Sequence, residues 1–423
     1  MQVLRDRGFV HQTTDEEPLE KLLASGQMIT AYIGVDPSAS SCHVGHLLQI
    51  MGLIHVQRAG HRPVLLMGGG TGRVGDPTGK TEMRKLLDEA AIDANVRAIR
   101  EQLSRYLDLA EPGEMVPEGK RASEGNTGLV VNNADWLLGL NYIDFLREIG
   151  RHFSVNRMLA QESVKLRLDS ESGLSFLEFN YSLLQAYDFL ILNQRYGCQM
   201  QLGGSDQWGN IVAGIDLIRR VEAKQAHGVT FSLITTPSGQ KMGKTEKGAV
   251  WLDPQMTSPY DYYQFWVNTE DGDVGRFLRL FTLLELDEIR ELEALEGADI
   301  REAKKVLAFR ATALTHGEEE AEKAQKAAVA LFYGAAQGGD SVPTFTVGRE
   351  ALDEGLPVFT LFHQCGLCES KGAARRLARQ GGLYINDSPV PEDQVVTLDD
   401  VNDGEIMLRA GRKRHRRVIV DDS

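Results

Sequence analysis

Short apolar runs alternate with longer amphipathic stretches along residues 1–235 of the chain. Four compact runs are typical of buried strands, and they cover residues 29–35, 63–67, 129–132 and 199–202. Between the first two, Leu47, Met51 and Ile54 recur at helical spacing, which predicts a helix over 43–59 that ends at Gly60. Strands that alternate with helices indicate a parallel sheet covered on both faces, and such sheets bind ligands beyond the carboxyl ends of their strands.

The pattern changes after residue 235 and divides the rest of the chain into four segments. Residues 236–250 combine glycines with a proline, which predicts a long mobile loop. Residues 251–334 are helical in pattern throughout, whereas 335–355 are rich in glycine and proline, as linkers are. Residues 356–423 mix one helix with short strand signals. We therefore expect an α/β protein with a Rossmann-like parallel-sheet domain that contains an inserted helical segment, then an all-helical domain and a small α+β domain.

Composition and charge restrict the class of protein. The 46 basic and 60 acidic residues give a net charge of −14, which excludes a wholly basic nucleic-acid coat but allows a local basic patch. Four cysteines are too few for a secreted disulfide scaffold, so we expect a reducing compartment, the cytoplasm. No apolar run approaches ~18 residues and the start of the chain does not resemble a signal peptide, so we expect no membrane association.

Two motifs indicate ligands that their surroundings do not support. Gly70-Thr-Gly-Arg-Val-Gly75 matches a dinucleotide-binding pattern, but an Asp-Pro pair follows where that pattern requires an uninterrupted helix. The glycines favour instead a backbone that approaches some ligand closely. Cys365 and Cys368 form a single C-x-x-C pair, whereas a zinc site needs further ligands. We expect two buried structural cysteines and no metal site.

Two histidines, His43 and His46, begin the first predicted helix, directly after a strand and a serine-rich loop. One helical turn separates them, so they lie on nearly the same face. Free backbone N–H groups and the helix dipole favour anions at this end of a helix, so two imidazole donors there suit a triphosphate. Gly45 between them would let a flat base pack on the backbone. Metal binding or mere surface histidines are the alternatives, but the spacing supplies no third metal ligand.

The motif Lys241-Met-Gly-Lys244-Thr245 lies in the predicted loop. Two ammonium groups and a hydroxyl on a movable loop can close over phosphates. They would neutralise the charge that develops on a departing pyrophosphate, and such groups act mainly on the transition state. Standing alone, the motif also fits a solvated basic loop.

A polar stripe marks the otherwise apolar helix predicted over 175–194, because Tyr181, Gln185 and Asp188 recur at helical spacing. Buried polar groups need partners, which either a structural network or a polar ligand could supply. The segment 201–210 follows, a predicted strand end with an adjoining loop that carries aspartate and glutamine.

The histidine motif at 43–46 and the lysine motif at 241–245 together resemble the HIGH and KMSKS signatures of the class I aminoacyl-tRNA synthetases. Valine replaces isoleucine in the first, and glycine and threonine occur in the second, but the imidazole, ammonium and hydroxyl groups are retained. Four segments narrow the resemblance to the bacterial tyrosyl-tRNA synthetase family, and they cover residues 31–37, 181–188, 203–210 and 241–245. The similarity extends over essentially the whole chain, in order.

This resemblance implies a role for each candidate site residue, with L-tyrosine and ATP as substrates and Mg²⁺ accompanying ATP. Tyr32 and Asp188 would hydrogen-bond the substrate phenol. The ammonium and carboxylate groups of tyrosine would be held by Asp76, Tyr181, Gln185 and Gln207. ATP and the adenylate would contact Gly34, Asp36, Ser38, Gly45, Asp206 and Lys244. A clamp on the phosphates would consist of His43, His46, Lys80, Arg84, Lys241, Lys244 and Thr245.

The last segment, 356–423, resembles an RNA-binding domain first seen in a ribosomal small-subunit protein. One helix of this segment carries a basic face, formed by Lys371, Arg375, Arg376 and Arg379. A second basic run at 409–417 strengthens the prediction of RNA binding. The resemblance further implies that 251–334 bind the anticodon region of tRNA(Tyr), and that the protein is a homodimer.

The expected activity is therefore that of a tyrosine–tRNA ligase, against three alternatives. A tryptophanyl-tRNA synthetase is the nearest, but Asp188 beside Tyr32 suits a phenol. A small-molecule adenylyltransferase would lack the RNA-binding C-terminal portion. A non-catalytic RNA-binding relative would have lost one of the signature histidines or lysines, and all four are present.

Overall fold

The computed structural model describes residues 1–77, 88–110, 126–169, 173–234, 242, 244–245, 248–332, 343–391, 394–402, 404–411 and 414–421. The chain forms two compact units. The first comprises Met1–Thr245, Ala249–Asp253 and Gly275–Glu291. The second comprises Glu246–Gly248, Pro254–Val274 and Leu292–Ser423.

A six-stranded sheet forms the centre of the first unit. Its strands are β1 (Val10–Thr13), β2 (Thr30–Val35), β3 (Arg62–Met67), β4 (Leu129–Asn132), β5 (Cys198–Gly204) and β6 (His227–Phe231). They lie in the order β1-β6-β5-β2-β3-β4, and every neighbouring pair is parallel except β1 with β6. Strands β2 to β5 confirm the four predicted strands and the predicted parallel sheet.

Helices cover this sheet, and β3 is buried at every position. The helices of the N-terminal part are α1 (Gln2–Asp6), α2 (Glu16–Ala24), α3 (Val44–Arg58), α4 (Glu89–Leu103), α5 (Ala134–Leu137), α6 (Tyr142–Glu148), α7 (Val155–Leu159), α8 (Glu162–Leu168), α9 (Phe176–Phe179), α10 (Tyr181–Tyr196) and α11 (Trp208–Glu222). Helix α3 confirms the predicted helix after β2, since Leu47, Met51 and Ile54 are all buried. Gly60, just beyond it, has a φ of +83°, the left-handed conformation that suits glycine.

The single helix predicted over 175–194 is in fact two helices, α9 and α10, which are separated at Asn180. The side chain of Ser175 accepts a hydrogen bond from the backbone of Glu178, and so forms the predicted capping box at the start of α9. The side-chain amide of Asn180 donates to the carbonyl of Phe176 (2.6 Å). Such a bond competes with the backbone ladder and explains the interruption.

The region predicted as one all-helical domain, 251–334, contributes to both units. Its helices are α12 (Pro259–Val267), α13 (Val274–Phe281), α14 (Leu286–Glu293), α15 (Ile300–His316) and α16 (Glu318–Phe332). Most of α13 and α14 groups with the first unit, whereas α12, α15 and α16 pack together in the second. Two short strands, β7 (Lys244–Thr245) and β8 (Gly248–Ala249), lie within the segment predicted as a loop.

The C-terminal part folds around a five-stranded sheet and a core of its own. Its elements are β9 (Thr344–Gly348), α17 (Arg349–Asp353), β10 (Leu356–Pro357), α18 (Val358–Gln364), α19 (Lys371–Arg379), β11 (Leu383–Ile385), β12 (Ser388–Pro389), β13 (Val395–Val396), β14 (Glu405–Ala410) and β15 (Arg414–Asp421). The order of the larger sheet is β12-β11-β14-β15-β9. Cys365 and Cys368 are buried in this core, as predicted, and both are free cysteines.

The predicted linker, 335–355, is wrong in its second half. Strand β9 pairs in parallel with β15, and Val347 and Leu352 are buried in the C-terminal core. Glycine and proline on both sides of these residues concealed a five-residue strand and one turn of helix. Among the described residues, no helix is both long and apolar enough to cross a membrane.

Candidate active site

A cavity of about 490 Å³ opens where the carboxyl ends of β2, β3 and β5 meet. It is lined by every predicted substrate-binding residue that the described part of the first unit contains. These residues are Tyr32, Gly34, Asp36, Ser38, His43, Gly45, His46, Asp76, Tyr181, Gln185, Asp188, Asp206 and Gln207. The predicted Lys80, Arg84 and Lys241 lie outside the described residues, and the side chains of Lys244 and Thr245 also lie outside them.

The most buried part of the cavity pairs a carboxylate with a phenol. Asp188, which is 1% exposed, accepts hydrogen bonds from Nε1 of Trp136 (2.7 Å) and Nδ2 of Asn133 (2.9 Å). Burial raises the pKa of Asp188 to about 7; the two N–H donors act against that rise, and the charge of Asp36 adds to it.

Tyr32 lies beside this carboxylate and is itself fully buried. Among the described residues its hydroxyl has no hydrogen-bond partner. Burial, followed by the charge of Asp188, raises the pKa of Tyr32 well above its usual value, so the hydroxyl stays protonated. The Asp188 carboxylate can accept a further hydrogen bond, and the Tyr32 hydroxyl, which has no partner among the described residues, can donate one. Together they can bind one further hydroxyl group.

The predicted polar stripe on α10 faces this cavity along its length, because all three of its residues line it. Tyr181 donates its hydroxyl to Oδ2 of Asp36 (3.1 Å), and burial is the main cause that raises its pKa well above the usual value. Gln185 accepts from Nδ2 of Asn210 (3.1 Å). The stripe is thus both a structural network and a lining of the cavity, so the two alternatives from the sequence are compatible.

Two further carboxylates line the cavity, and both are less buried than Asp188. Asp36 accepts from the hydroxyl of Thr71 (2.9 Å) as well as from Tyr181. Asp76 accepts from Nε2 of Gln207 (2.8 Å). The carboxylates, hydroxyls and amides in this part of the cavity can together hold a group that carries both a positive charge and hydrogen-bond donors.

His43 and His46 stand at the N-terminus of α3, as predicted. Nδ1 of His43 accepts from the backbone of Gly45 (3.0 Å), and Nδ1 of His46 accepts from the backbone of His43 (3.1 Å). Each neutral ring therefore carries its proton on Nε2. The ring centroids are 4.0 Å apart. N–H donors at a helix N-terminus favour an anion, so this geometry is compatible with the predicted contact to phosphate.

Glycine is required at position 45 for a steric reason. A Cβ there would lie 2.7 Å from Cε1 of His43 and 3.2 Å from the carbonyl oxygen of Met242. At Gly34 the reason differs, because a Cβ would meet nothing within 4 Å and would project into the open cavity. The bare backbone at Gly34 leaves room for a flat ligand against β2.

The segment that follows the second predicted motif is anchored beside the histidines. The backbone of Val44 donates to the carbonyl of Val250 (2.9 Å), and Leu252 donates to the carbonyl of Cys42 (2.9 Å). The ring of Trp251 lies edge-on to His43, with centroids 6.0 Å apart. The fold therefore brings residues 250–252, which closely follow the second predicted motif, beside the histidines although ~200 residues of sequence separate them.

Sequence reasoning missed five polar or aromatic groups of this site, namely Thr71, Asn133, Trp136, Asn210 and Trp251. Asn133 could have been found, because it directly follows the predicted strand at 129–132 and so belongs to the ligand-binding edge of the sheet. Trp136 and Asn210 act through contacts between distant segments, which no local pattern reveals.

The predicted basic face of α19 is confirmed, since all four of its cationic residues are exposed while Ala374 and Ala378 are buried. The second basic run, at 409–417, is used differently from the prediction. Arg414 and Arg416 donate to the carbonyls of Leu367 and Cys365. Arg409 stacks over the ring of a tyrosine, with its guanidinium carbon 3.5 Å from the centroid. Much of that run therefore stabilises the domain itself.

Comparison with known proteins gives a consistent result. A family model described as class I tRNA synthetases, W and Y, matches residues 24–333. The tyrosine–tRNA ligase of Desulfatibacillum aliphaticivorans is 54% identical over 440 residues, covering 100% of this chain and 99% of that protein. The tyrosine–tRNA ligase of one Clostridium botulinum strain is 52% identical over 420 residues, with 99% and 98% covered.

Solved structures agree in fold. A C-terminally truncated mitochondrial tyrosyl-tRNA synthetase of Aspergillus nidulans is 31% identical with a TM-score of 0.66, over 77% of this chain and 91% of that chain. A tryptophanyl-tRNA synthetase of Encephalitozoon cuniculi is 14% identical with a TM-score of 0.53, over 77% and 87%. The second likeness shows the fold alone.

Proposed function

The chain belongs to the class I tRNA synthetases for tryptophan and tyrosine, among the bacterial-type tyrosine–tRNA ligases, and on this basis we propose a role for each part of its cavity. Its activity is the ATP-dependent attachment of L-tyrosine to tRNA. The observation that carries the assignment of roles is the unpaired, buried hydroxyl of Tyr32 beside the carboxylate of Asp188.

The substrate phenol occupies the buried end. Its hydroxyl donates to Asp188 and accepts from Tyr32, so both protein groups gain the partner that they need in a water-poor place. Trp136 and Asn133 hold the carboxylate from its other side. Indole, the side chain of tryptophan, offers one N–H donor and no acceptor, so it would leave the hydroxyl of Tyr32 unpaired.

The charged end of tyrosine lies nearer the mouth. The carboxylate of Asp76, the hydroxyl of Tyr181 and the amide of Gln185 hold the ammonium group, and Gln207 holds the carboxylate side. Gln207 donates to Asp76 and shares the neighbour Asn210 with Gln185, and Tyr181 donates to Asp36, so each of the four groups has a protein partner that orients it before the substrate arrives. Such preorganisation lowers the entropic cost of placing the attacking carboxylate.

ATP occupies the remainder of the cavity. Gly34 leaves room for a flat part of ATP, whereas the space beside Gly45 is taken by His43 and the carbonyl of Met242, so Gly45 can meet ATP through its backbone only. Asp36, Ser38 and Asp206 supply hydrogen-bond partners for the adenylate. His43 and His46 donate from Nε2 to the phosphates. Lys80, Arg84, Lys241, Lys244 and Thr245 complete this clamp. Mg²⁺ enters bound to the ATP phosphates, whose oxygens are the ligands it prefers.

The reaction has two steps. The tyrosine carboxylate oxygen bonds to the α-phosphorus of ATP, and the bond to the bridging oxygen breaks, which releases pyrophosphate. A hydroxyl of the tRNA 3′ end then attacks the tyrosyl carbonyl, and AMP leaves. No side chain becomes covalently bound in either step, so the protein accelerates the reaction by positioning and charge stabilisation.

The second half of the reaction requires a surface for tRNA. We assign this role to the basic face of α19, where Lys371, Arg375, Arg376 and Arg379 are exposed, with the helices of 251–334 reading the anticodon region. Large apolar side chains are exposed on α6 to α9, for example Ile143 (67%) and Phe176 (68%). We assign this surface to a homodimer contact, because monomers rarely expose such patches. The cytoplasm, where tRNA is charged, is the proposed compartment.

The variant His46→Ala tests the phosphate assignment, with the exposed His11→Ala as its control. Removing one donor to the transition state costs ~10²–10³ in rate, so tyrosine-dependent ATP–pyrophosphate exchange should slow by about that factor. Tyrosine affinity, measured by equilibrium dialysis, should stay unchanged because tyrosine has no phosphate. An unchanged exchange rate, or a loss of tyrosine binding instead, would show that His46 has another role.

A further inference from the structure

Two side chains of helix α4 hydrogen-bond the loop between β2 and α3, one near each end of that loop. Nδ2 of Asn95 donates to the carbonyl of Pro37 (2.9 Å), and Oε1 of Gln102 accepts from the backbone N–H of Cys42 (2.8 Å). The two amide side chains are seven residues apart, which places them two turns apart on one face of α4. Between these contacts the loop lines the cavity, for example with Ser38.

The end at Gln102 is a closed ring of hydrogen bonds. Nε2 of Gln102 donates to Oγ of Ser41 (3.0 Å), and that hydroxyl donates to the carbonyl of Cys42 (2.7 Å). The ring closes through the bond from Cys42 back to Gln102. Gln102 is 8% and Ser41 3% exposed, so these bonds form in a water-poor place where an unmet partner is costly.

This ring fixes both the backbone N–H and the carbonyl of Cys42, the residue directly before His43. That carbonyl also accepts from the backbone of Leu252, which belongs to the segment after the second phosphate motif. Gln102 itself does not line the cavity. Its side chain therefore connects α4 to the entrance of α3 and to the 250–252 segment without access to any substrate.

We infer that Gln102, assisted by Asn95 at the other end of the loop, is a positioning residue for adenylate formation. It acts by fixing the Cys42 peptide, and through it the direction in which His43 and His46 present Nε2. The inference rests on the proposed contact of these histidines with ATP phosphates. A displacement of about 1 Å in such a group can cost ~10²-fold in rate even when the cause is remote from the reacting atoms.

The experiment compares Gln102→Met with Glu101→Met, its exposed neighbour on the same helix. Methionine has a similar length but offers no amide, so adenylate formation in Gln102→Met should slow by about ten- to a hundredfold. Tyrosine affinity should change by less than about twofold, because the tyrosine end of the cavity does not contact this ring. Gln102→Glu should keep an intermediate rate, because its carboxylate still accepts from Cys42. Glu101→Met should behave as the unchanged protein.

Three results would overturn the inference: an unchanged rate in Gln102→Met, a parallel loss of tyrosine binding, or a lower unfolding temperature as the only effect. Should Gln102→Met fail to fold, Ser41→Ala removes the bridging hydroxyl alone, and it must show the same separation of rate from tyrosine affinity. His46→Ala is measured in parallel. If adenylate formation is slow in His46→Ala but unchanged in Gln102→Met, only this inference is refuted. If the rate is unchanged in both variants, the phosphate assignment is refuted as well.

Discussion

The affinity for tyrosine should depend on pH through the ionisation of Asp188. The carboxylate accepts from Trp136 and Asn133, one donor to each oxygen, and it is proposed to accept the phenol hydroxyl as well. A protonated carboxyl would direct its own O–H group at one of these donors. We therefore expect tyrosine to bind the ionised form, although burial raises the pKa of that group to about 7.

The size of the effect follows from that pKa. If only the ionised form binds, the apparent dissociation constant is multiplied by one plus ten to the power of the pKa minus the pH. With a pKa of about 7, the affinity should weaken about thirtyfold at pH ~5.5 and stay nearly constant above pH ~8. The slope between these limits approaches tenfold per unit of pH.

Equilibrium dialysis of labelled tyrosine from pH ~5.5 to ~8.5 measures this dependence directly. Asp188→Asn is the matched control, since it keeps the shape of the side chain but cannot titrate. Its affinity should be weaker and independent of pH, which separates Asp188 from the histidines at the other end of the cavity. A flat profile in the unchanged protein would refute the reasoning, and so would an equal slope in both proteins.

The raised pKa of Asp188 also makes the stability of the ligand-free protein depend on pH, but stability falls as the pH rises, whereas tyrosine affinity increases. The folded-state pKa of about 7 lies above the ordinary 3.8, so between these values the folded protein holds a proton that the unfolded chain has lost. The contribution of Asp188 is therefore fully present below pH ~4 and decreases by about 4 kcal/mol as the pH rises to ~7. Asp188→Asn should remove this decline from a urea-unfolding series.

Three further outcomes are expected. Tyr32→Phe should reduce discrimination between tyrosine and phenylalanine in pyrophosphate exchange by about tenfold, because the lost bond is worth ~1–2 kcal/mol; equal selectivity would remove Tyr32 from the phenol site. The pair Lys371→Glu and Arg376→Glu should depress tRNA charging while leaving pyrophosphate exchange intact, since α19 is proposed to contact RNA and does not line the cavity; unimpaired charging would contradict the RNA assignment. If the exposed face around Ile143 is the proposed dimer contact, Ile143→Asp should shift the sedimenting mass from dimer to monomer, because a charge on an apolar contact is costly; an unchanged mass would refute the assignment of that face.

Much of the central sheet and of the cavity could be predicted because the information is local. Strand runs, the helical spacing of Leu47, Met51 and Ile54, and the polar stripe on α10 all depend on neighbours in sequence. Strands β1 and β6 were missed for a related reason. Strand β1 is a largely exposed edge strand, and β6 contains His227 and Gly228, so neither has a strong apolar run.

What could not be predicted depends on which distant segments meet. Asp188 was identified from its spacing on α10, but its raised pKa arises from complete burial, and the two donors that oppose the rise, Asn133 and Trp136, follow the distant strand β4. The network of Gln102 joins residues 60 or more positions apart, and glutamine on an amphipathic helix carries no signal of its own. The run at 409–417 was expected to contact RNA from its charge alone. The carbonyls that accept hydrogen bonds from Arg414 and Arg416 lie on a distant segment, so the sequence does not show that these two side chains have partners within the domain.

The parallel pairing of β9 with β15 determines where the C-terminal domain can be cut. The register runs from Thr344 opposite Arg417 to Gly348 opposite Asp421, and the carbonyl of Pro343 already accepts from the backbone of Arg417. A fragment that starts at residue 356 would leave β15 as a bare edge strand with unpaired backbone groups, and it would lose Val347 and Leu352 from its core.

Unprotected edges of this kind recruit further strands, so that fragment would be prone to self-association. A fragment that starts by residue 343 keeps β15 paired and leaves the short strand β9 at the edge of the sheet, as in the whole chain. The C-terminal domain therefore begins inside the glycine-rich stretch that was predicted to be a linker, and a fragment cut at residue 356 would expose an edge that favours aggregation.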